Sequence, residues 1–162
     1  MSKLALVAVD IRSSHNIGSL FRTCDGFGAE MILVGICPRP KSEDDDRLPH
    51  IARKAEKEIA KTALGAEKTV PWRYFDTLLE AKRQLNKDGY ALIAIEQADT
   101  SRSLREMKFE TALALVVGRE VEGLSLVELK LCDAVYEIPM TGSKESFNVS
   151  VAAGVALYQA SS

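Results

Sequence analysis

The sequence predicts an α/β protein with a mainly parallel sheet flanked by helices. Short apolar runs alternate with stretches of helical spacing along the whole chain. The runs at 4–9 and 111–117 are apolar without polar alternation, as expected of strands covered on both faces. Gly28, Gly65 and Gly89 stand where helices should stop.

Taken in order, Lys3 to Asp10 reads as a strand. Asn16 is placed to cap the next helix. There Ile17, Leu20, Phe21, Cys24 and Phe27 recur at amphipathic spacing. Glu30 to Ile36 is a second strand. Cys37 to Pro49 holds three prolines and the acidic run 43–46, and reads as a mobile loop. His50 to Leu64 is helical and Gly65 ends it. Val70 to Tyr74 is extended, Thr77 to Lys87 helical and Tyr90 to Ile95 a strand. Ser101 to Met107 is expected as a short helix, Thr111 to Val117 as a strand and Leu124 to Leu131 as a short helix. Ala134 to Ile138 is the last strand and Asn148 to Ala160 the last helix. No internal repeat or linker interrupts the pattern, so residues 1–162 read as a single domain without an added RNA-binding domain.

A chain of 162 residues can bury a core without disulfides or a structural metal. Cys24, Cys37 and Cys132 are odd in number and widely spaced, as reduced thiols of a cytoplasmic protein would be. With only two histidines, no usual metal-ligand spacing occurs, and no metal is expected. No apolar run reaches the roughly 18 residues of a membrane span, and the start lacks a leader pattern. A net charge of -2 excludes a global basic field, so any nucleic-acid contact must come from a local patch.

Three segments could carry chemistry. In Asn16-Ile17-Gly18-Ser19-Leu20-Phe21-Arg22, Gly18 and Arg22 share a helix face, and the glycine is expected to clear space beside the guanidinium. The plain alternative is a capped helix with one solvated arginine. Gly118-Arg119-Glu120-Val121-Glu122-Gly123 follows a buried strand. Its glycines have P-loop spacing, but Leu124-Ser125 replaces the Lys-Ser or Lys-Thr that nucleoside triphosphates require. The third runs from Ile138-Pro139-Met140 through a polar loop to Ser146-Phe147-Asn148-Val149-Ser150. Ser146 or Asn148 can cap a terminal helix of small residues. Gly154 in that helix implies close packing, in the core or against a second subunit.

Together, in this order, the three segments resemble the SpoU/TrmH family, ribose 2'-O RNA methyltransferases of the SPOUT class. The resemblance covers nearly the whole chain. It departs from many members at Arg119, usually asparagine or serine, and at Phe147, usually leucine or methionine. It implies a carboxyl-terminal trefoil knot that binds S-adenosylmethionine, and a homodimer with active sites at the subunit interface. Fold rules alone would not have suggested a knot. Carried over by motif, Ile95, Gly118, Ile138, Ser146 and Phe147, with Asn148 supporting the loop, form the expected cofactor-binding set. Arg22 and Asn16 form the expected catalytic set.

The implied reaction moves a methyl group from a sulfonium to a ribose 2'-hydroxyl of transfer or ribosomal RNA. Deprotonating an arginine at neutral pH costs roughly 8 kcal/mol. Arg22 is therefore read as a charged group that grips phosphate and stabilises the developing alkoxide. His15, beside the motif, is the alternative base. For RNA, segment 39–61 carries seven basic and six acidic side chains, with Arg53, Lys54 and Lys57 as the expected contacts. A solvated helix face would look the same. The rival readings are a non-catalytic RNA-binding homologue of the same fold, a generic nucleotide-binding domain and a small-molecule methyltransferase.

Overall fold

The structure is a computed structural model and describes residues 3–108 and 111–162. Among these residues seven strands form one parallel sheet: β1 (Leu4–Val9), β2 (Glu30–Val34), β3 (Trp72–Phe75), β4 (Tyr90–Ile95), β5 (Arg102–Ser103), β6 (Ala112–Val117) and β7 (Ala134–Glu137). Their order is β3-β2-β1-β6-β4-β7-β5, and every pairing is parallel. All the strands therefore end on one edge of the sheet. Among the described residues six α-helices accompany them: α1 (Ser14–Phe27), α2 (Pro49–Ala63), α3 (Ala66–Thr69), α4 (Leu78–Lys87), α5 (Leu126–Leu131) and α6 (Val149–Ser161).

The continuous apolar runs have the predicted cause. In β1, Leu4, Leu6 and Ala8 join one core with Ile17, Phe21, Ile59 and Leu157, under α1, α2 and α6. Ala5, Val7 and Val9 join a second core with Leu78, Ala81 and Leu85 of α4. A fully buried side chain such as Phe21 or Leu85 contributes about 1.5–3 kcal/mol.

Several local expectations are corrected. Ser13, not Asn16, caps α1, and its hydroxyl accepts the Asn16 N–H at 3.1 Å. Both residues are good caps lying just ahead of the periodic run, so propensity did not separate them. Leu64, at φ 53°, takes the left-handed position after α2, and Gly65 instead precedes the single turn α3. Segment 101–107 is not one helix. It divides into β5, which pairs with β7, and a 3-10 turn at Leu104–Glu106. The acidic loop is tied down rather than mobile. Arg47 grips Asp45 through Nε at 2.8 Å and Nη2 at 2.6 Å, and also donates to the Arg39 and Pro40 carbonyls. The Arg47 hydrogen bond holds the Asp45 carboxyl well below the usual range. Arg39 pairs with Asp46 and stacks on Tyr74.

Gly18 faces α2, not Arg22. A methyl group there would overlap Thr62 Oγ1 and the Ile59 carbonyl. The Thr62 hydroxyl donates to the His15 carbonyl at 2.8 Å across the same contact. Gly154 is the opposite case. Its nearest neighbour in this chain, for an added methyl, is Thr23 Cγ2 at 3.8 Å, so close packing inside the chain does not require it.

Candidate active site

Because the strands are parallel and β6, β4 and β7 are adjacent, the residues at their carboxyl ends converge. A pocket there is lined by Ile95 and Glu96 after β4, by 118–121 and Gly123 after β6, and by Glu137, Ile138 and Met140 after β7. Ser146, Phe147, Val149 and Ala152 close it from the start of α6. Five of the six expected cofactor-binding residues thus line one cavity: Ile95, Gly118, Ile138, Ser146 and Phe147. Asn148 does not line it. Its side-chain oxygen is occupied as the α6 cap, accepting the Ser150 N–H at 2.9 Å and hydroxyl at 2.6 Å.

The loop after β6 folds tightly on itself. A methyl group on Gly118 would lie 2.7 Å from the Gly123 carbonyl carbon and 2.8 Å from the Leu124 nitrogen. Gly123 has φ +66°, and a methyl group on it would overlap the Glu96 carboxylate. Glu96 was not singled out in the sequence. Its carboxylate accepts the Leu124 N–H at 2.9 Å and the Gln97 N–H at 3.0 Å, clamping the loop to the end of β4. Its place directly after a buried strand was the available signal.

Asn16 is buried and its amide donates to Glu120 Oε1 at 3.2 Å, linking α1 to the pocket loop. Arg22 is exposed and lies outside this pocket. It lines a separate groove with Ser19, Lys61, Thr62 and, from the first turn of α6, Ser150 and Val151. The first turn of α6 therefore borders both cavities. Among the described residues, none of the ion pairs involves Arg22, Arg53, Lys54 or Lys57, and all four side chains lie on exposed positions.

Carboxylates dominate the charge around the pocket, with Glu96, Glu120 and Glu137 in its lining. The one cation in the lining among the described residues, Arg119, is held by Asp10 at 2.5 Å and Glu128 at 2.7 Å. Glu128, then Asp10, raise the guanidinium above its already high range, so it stays charged. Thiol chemistry is disfavoured. Burial pushes Cys37 up to about 11, and Cys24 and Cys132 to about 12. Among the described residues no group of three or more His, Cys, Asp or Glu is placed to hold a metal ion. No helix described is long and apolar enough to cross a membrane.

Residues 3–158 match the SpoU rRNA Methylase family. The chain belongs to this family. Relatives within reach of the SpoU match include the 23S rRNA (guanosine-2'-O-)-methyltransferase RlmB of Ralstonia nicotianae, 34% identical over 157 residues, 97% of this chain and 57% of the relative. RlmB of Haemophilus influenzae is 35% identical over 96% of this chain and 58% of its own length. The chain thus spans somewhat over half the length of these curated relatives. Among solved structures, AdoMet-bound rRNA methyltransferase from Sinorhizobium meliloti superposes with a TM-score of 0.81 at 23% identity, covering 98% of this chain and 55% of that one. The SpoU methyltransferase AviRb from Streptomyces viridochromogenes, in complex with AdoMet, gives 0.78 at 25%, covering 99% and 60%. The SpoU fold is therefore the mainly parallel sheet with flanking helices described above.

Proposed function

We propose that the protein transfers a methyl group from S-adenosylmethionine to a ribose 2'-hydroxyl of ribosomal RNA. The observation that carries this is the convergence of Ile95, Gly118, Ile138, Ser146 and Phe147 on one pocket in a chain of this family. The residues present fit the cofactor. Gly118 and Gly123 let backbone close on backbone, Ile95, Ile138 and the half-exposed Phe147 offer apolar walls, and the surrounding carboxylates favour a cationic ligand. The bound cofactor would supply an electrophilic methyl group on a sulfonium. In such a transfer the ribose oxygen would take the methyl group, the donor would leave as a neutral thioether, and the hydroxyl proton would pass to solvent water.

This chain's residues have separate tasks in that reaction. Arg22 grips RNA phosphate and stabilises the developing alkoxide. Asn16, bonded to Glu120, holds the amino end of α1 in register with the pocket loop. Arg22 lines its own groove, not the pocket. A homodimer with sites at the subunit interface would let a second subunit complete each site. Val151, Val155 and Tyr158 support this, since all three are apolar and exposed on α6. Sedimentation at micromolar concentration is expected to give a dimer, and a monomer would remove that part of the reading. The return of the chain from β7 to lay α6 on α1 and β6 is compatible with the trefoil knot implied by the family.

Calorimetry with S-adenosylhomocysteine tests the cofactor. Binding is expected, and RNA binding without it would favour a non-catalytic homologue. Mapping of 2'-O-methyl marks in RNA from cells with and without the gene tests the substrate. A mark lost from ribosomal RNA is expected, and one lost only from transfer RNA would overturn that choice. On the RNA side, Arg53, Lys54 and Lys57 are expected to contact phosphates. Each replacement by alanine should weaken binding across sequences and lower the salt slope by about 1. An unchanged slope in the triple variant would make α2 a solvated face.

A further inference from the structure

The cluster of Asp10, Arg119 and Glu128 is not used by the chemistry above, yet it stands at the rim of the pocket. Asp10 follows β1 and is 109 residues from Arg119. Its backbone is left-handed, φ 52°, which a non-glycine residue adopts at some cost. Its carboxylate has two engagements. Oδ1 accepts the Ile36 N–H at 3.0 Å after β2, and Oδ2 accepts Arg119 Nη2. Arg119 also pairs with both oxygens of Glu128 in α5, at 2.7 and 3.1 Å, and donates to the Gly123 carbonyl at 3.0 Å. The ends of β1, β2 and β6 and the helix α5 are thereby joined through one guanidinium.

Arg119 lines the pocket on one side and, with Asp10, a groove on the other. Asp10 and Glu128 themselves do not line the pocket. We propose that Asp10 and Glu128 are positioning residues for the cofactor pocket, acting through Arg119 to hold the 118–123 loop in its binding shape. The proposal rests on the cofactor reading above. A loop already ordered before binding does not lose that freedom on binding, so Asp10 and Glu128 raise affinity from outside the pocket lining. All four hydrogen bonds of the guanidinium are charge-assisted and three of them go to carboxylate oxygens, which suits them to fixing a geometry.

The test is Asp10→Asn. Asparagine tolerates the left-handed backbone and keeps an acceptor for the Ile36 amide, so mainly the charge is lost. The dissociation constant of S-adenosylhomocysteine should rise roughly tenfold, with KM for S-adenosylmethionine rising and kcat at saturation unchanged. Arg119→Met, which also alters the pocket lining, should raise the dissociation constant at least as much. The double variant should lose no more affinity than Arg119→Met alone, because both changes remove one network. Glu128→Gln repeats the test from α5 should Asp10→Asn fold poorly. Amide exchange of Gly123 and Leu124 in the free protein should quicken in each variant. Wild-type affinity in Asp10→Asn and Glu128→Gln, additive losses in the double variant, or unchanged exchange would overturn the proposal. Wild-type protein that binds no S-adenosylhomocysteine would instead overturn the cofactor reading, and the exchange measurement would still decide whether the cluster orders the loop.

Discussion

Arg22→Ala is expected to lower kcat by a factor on the order of 10²–10³ while leaving S-adenosylhomocysteine affinity unchanged. The separation follows from position. Arg22 is exposed in a groove beside Lys61 and Ser150, and is absent from the pocket lining. A positive charge that stabilises an alkoxide contributes in the transition state and not when the methyl donor binds. Its loss should not unfold the protein, since exposed substitutions usually stay within about 0.5 kcal/mol. Arg22→Lys retains the charge but loses the planar fork, and should recover only part of the rate. Single-turnover kinetics with saturating cofactor is the measurement. Full turnover by the lysine variant would show that fork geometry is irrelevant and the assigned role wrong.

The second large effect is on stability. Gly18→Ala places a methyl group on the Ile59 carbonyl and Thr62 Oγ1, where α1 and α2 meet. A backbone carbonyl cannot rotate away, so the helices must separate. The cost should be about 2–3 kcal/mol, and the midpoint of thermal unfolding should fall by about 4–12 °C. Gly154→Ala is the matched control. It meets only Thr23 Cγ2 at 3.8 Å and gains helix propensity of up to about 1 kcal/mol, so the isolated fold should melt no lower. A Gly18→Ala protein that melts with the wild type would contradict the close approach of the two helices. A loss of dimer with Gly154→Ala would place that glycine against a second subunit.

The two glycines also show where reading the residues ran short. Both looked like small residues on helix faces. Gly18 was assigned to the space beside Arg22 because i and i+4 positions share a face. What it faces is a helix that begins 31 residues later, and local spacing carries no trace of that partner. Gly154 was read as a sign of close packing in the core or against a second subunit, and only the first of these is removed by its open surroundings within this chain. The Asn16 cap failed for a smaller reason, since Ser13 three residues earlier met the same chemical requirement. Arg119 is the larger case. As a residue in a glycine loop it was visible only as a departure from the family, because Asp10, its partner, follows β1 and is 109 residues away in sequence.

The order of apolar runs and helical stretches was enough by itself for the α/β class, because burial on both faces leaves a chemical pattern in each strand. The second and third motifs likewise pointed to Gly118, Ile138, Ser146 and Phe147, and the family resemblance to Ile95, before their convergence was known. Strand order was decided only in three dimensions. The runs at 4–9, 90–95 and 112–117 are chemically interchangeable, and nothing in them says that β6 lies between β1 and β4. That placement brings Gly118 beside Ile95 and Ile138 and brings Arg119 to Asp10. Hydrophobicity determines that a strand is buried, whereas its neighbours are chosen by backbone pairing and packing over the whole sheet, which a local pattern does not encode.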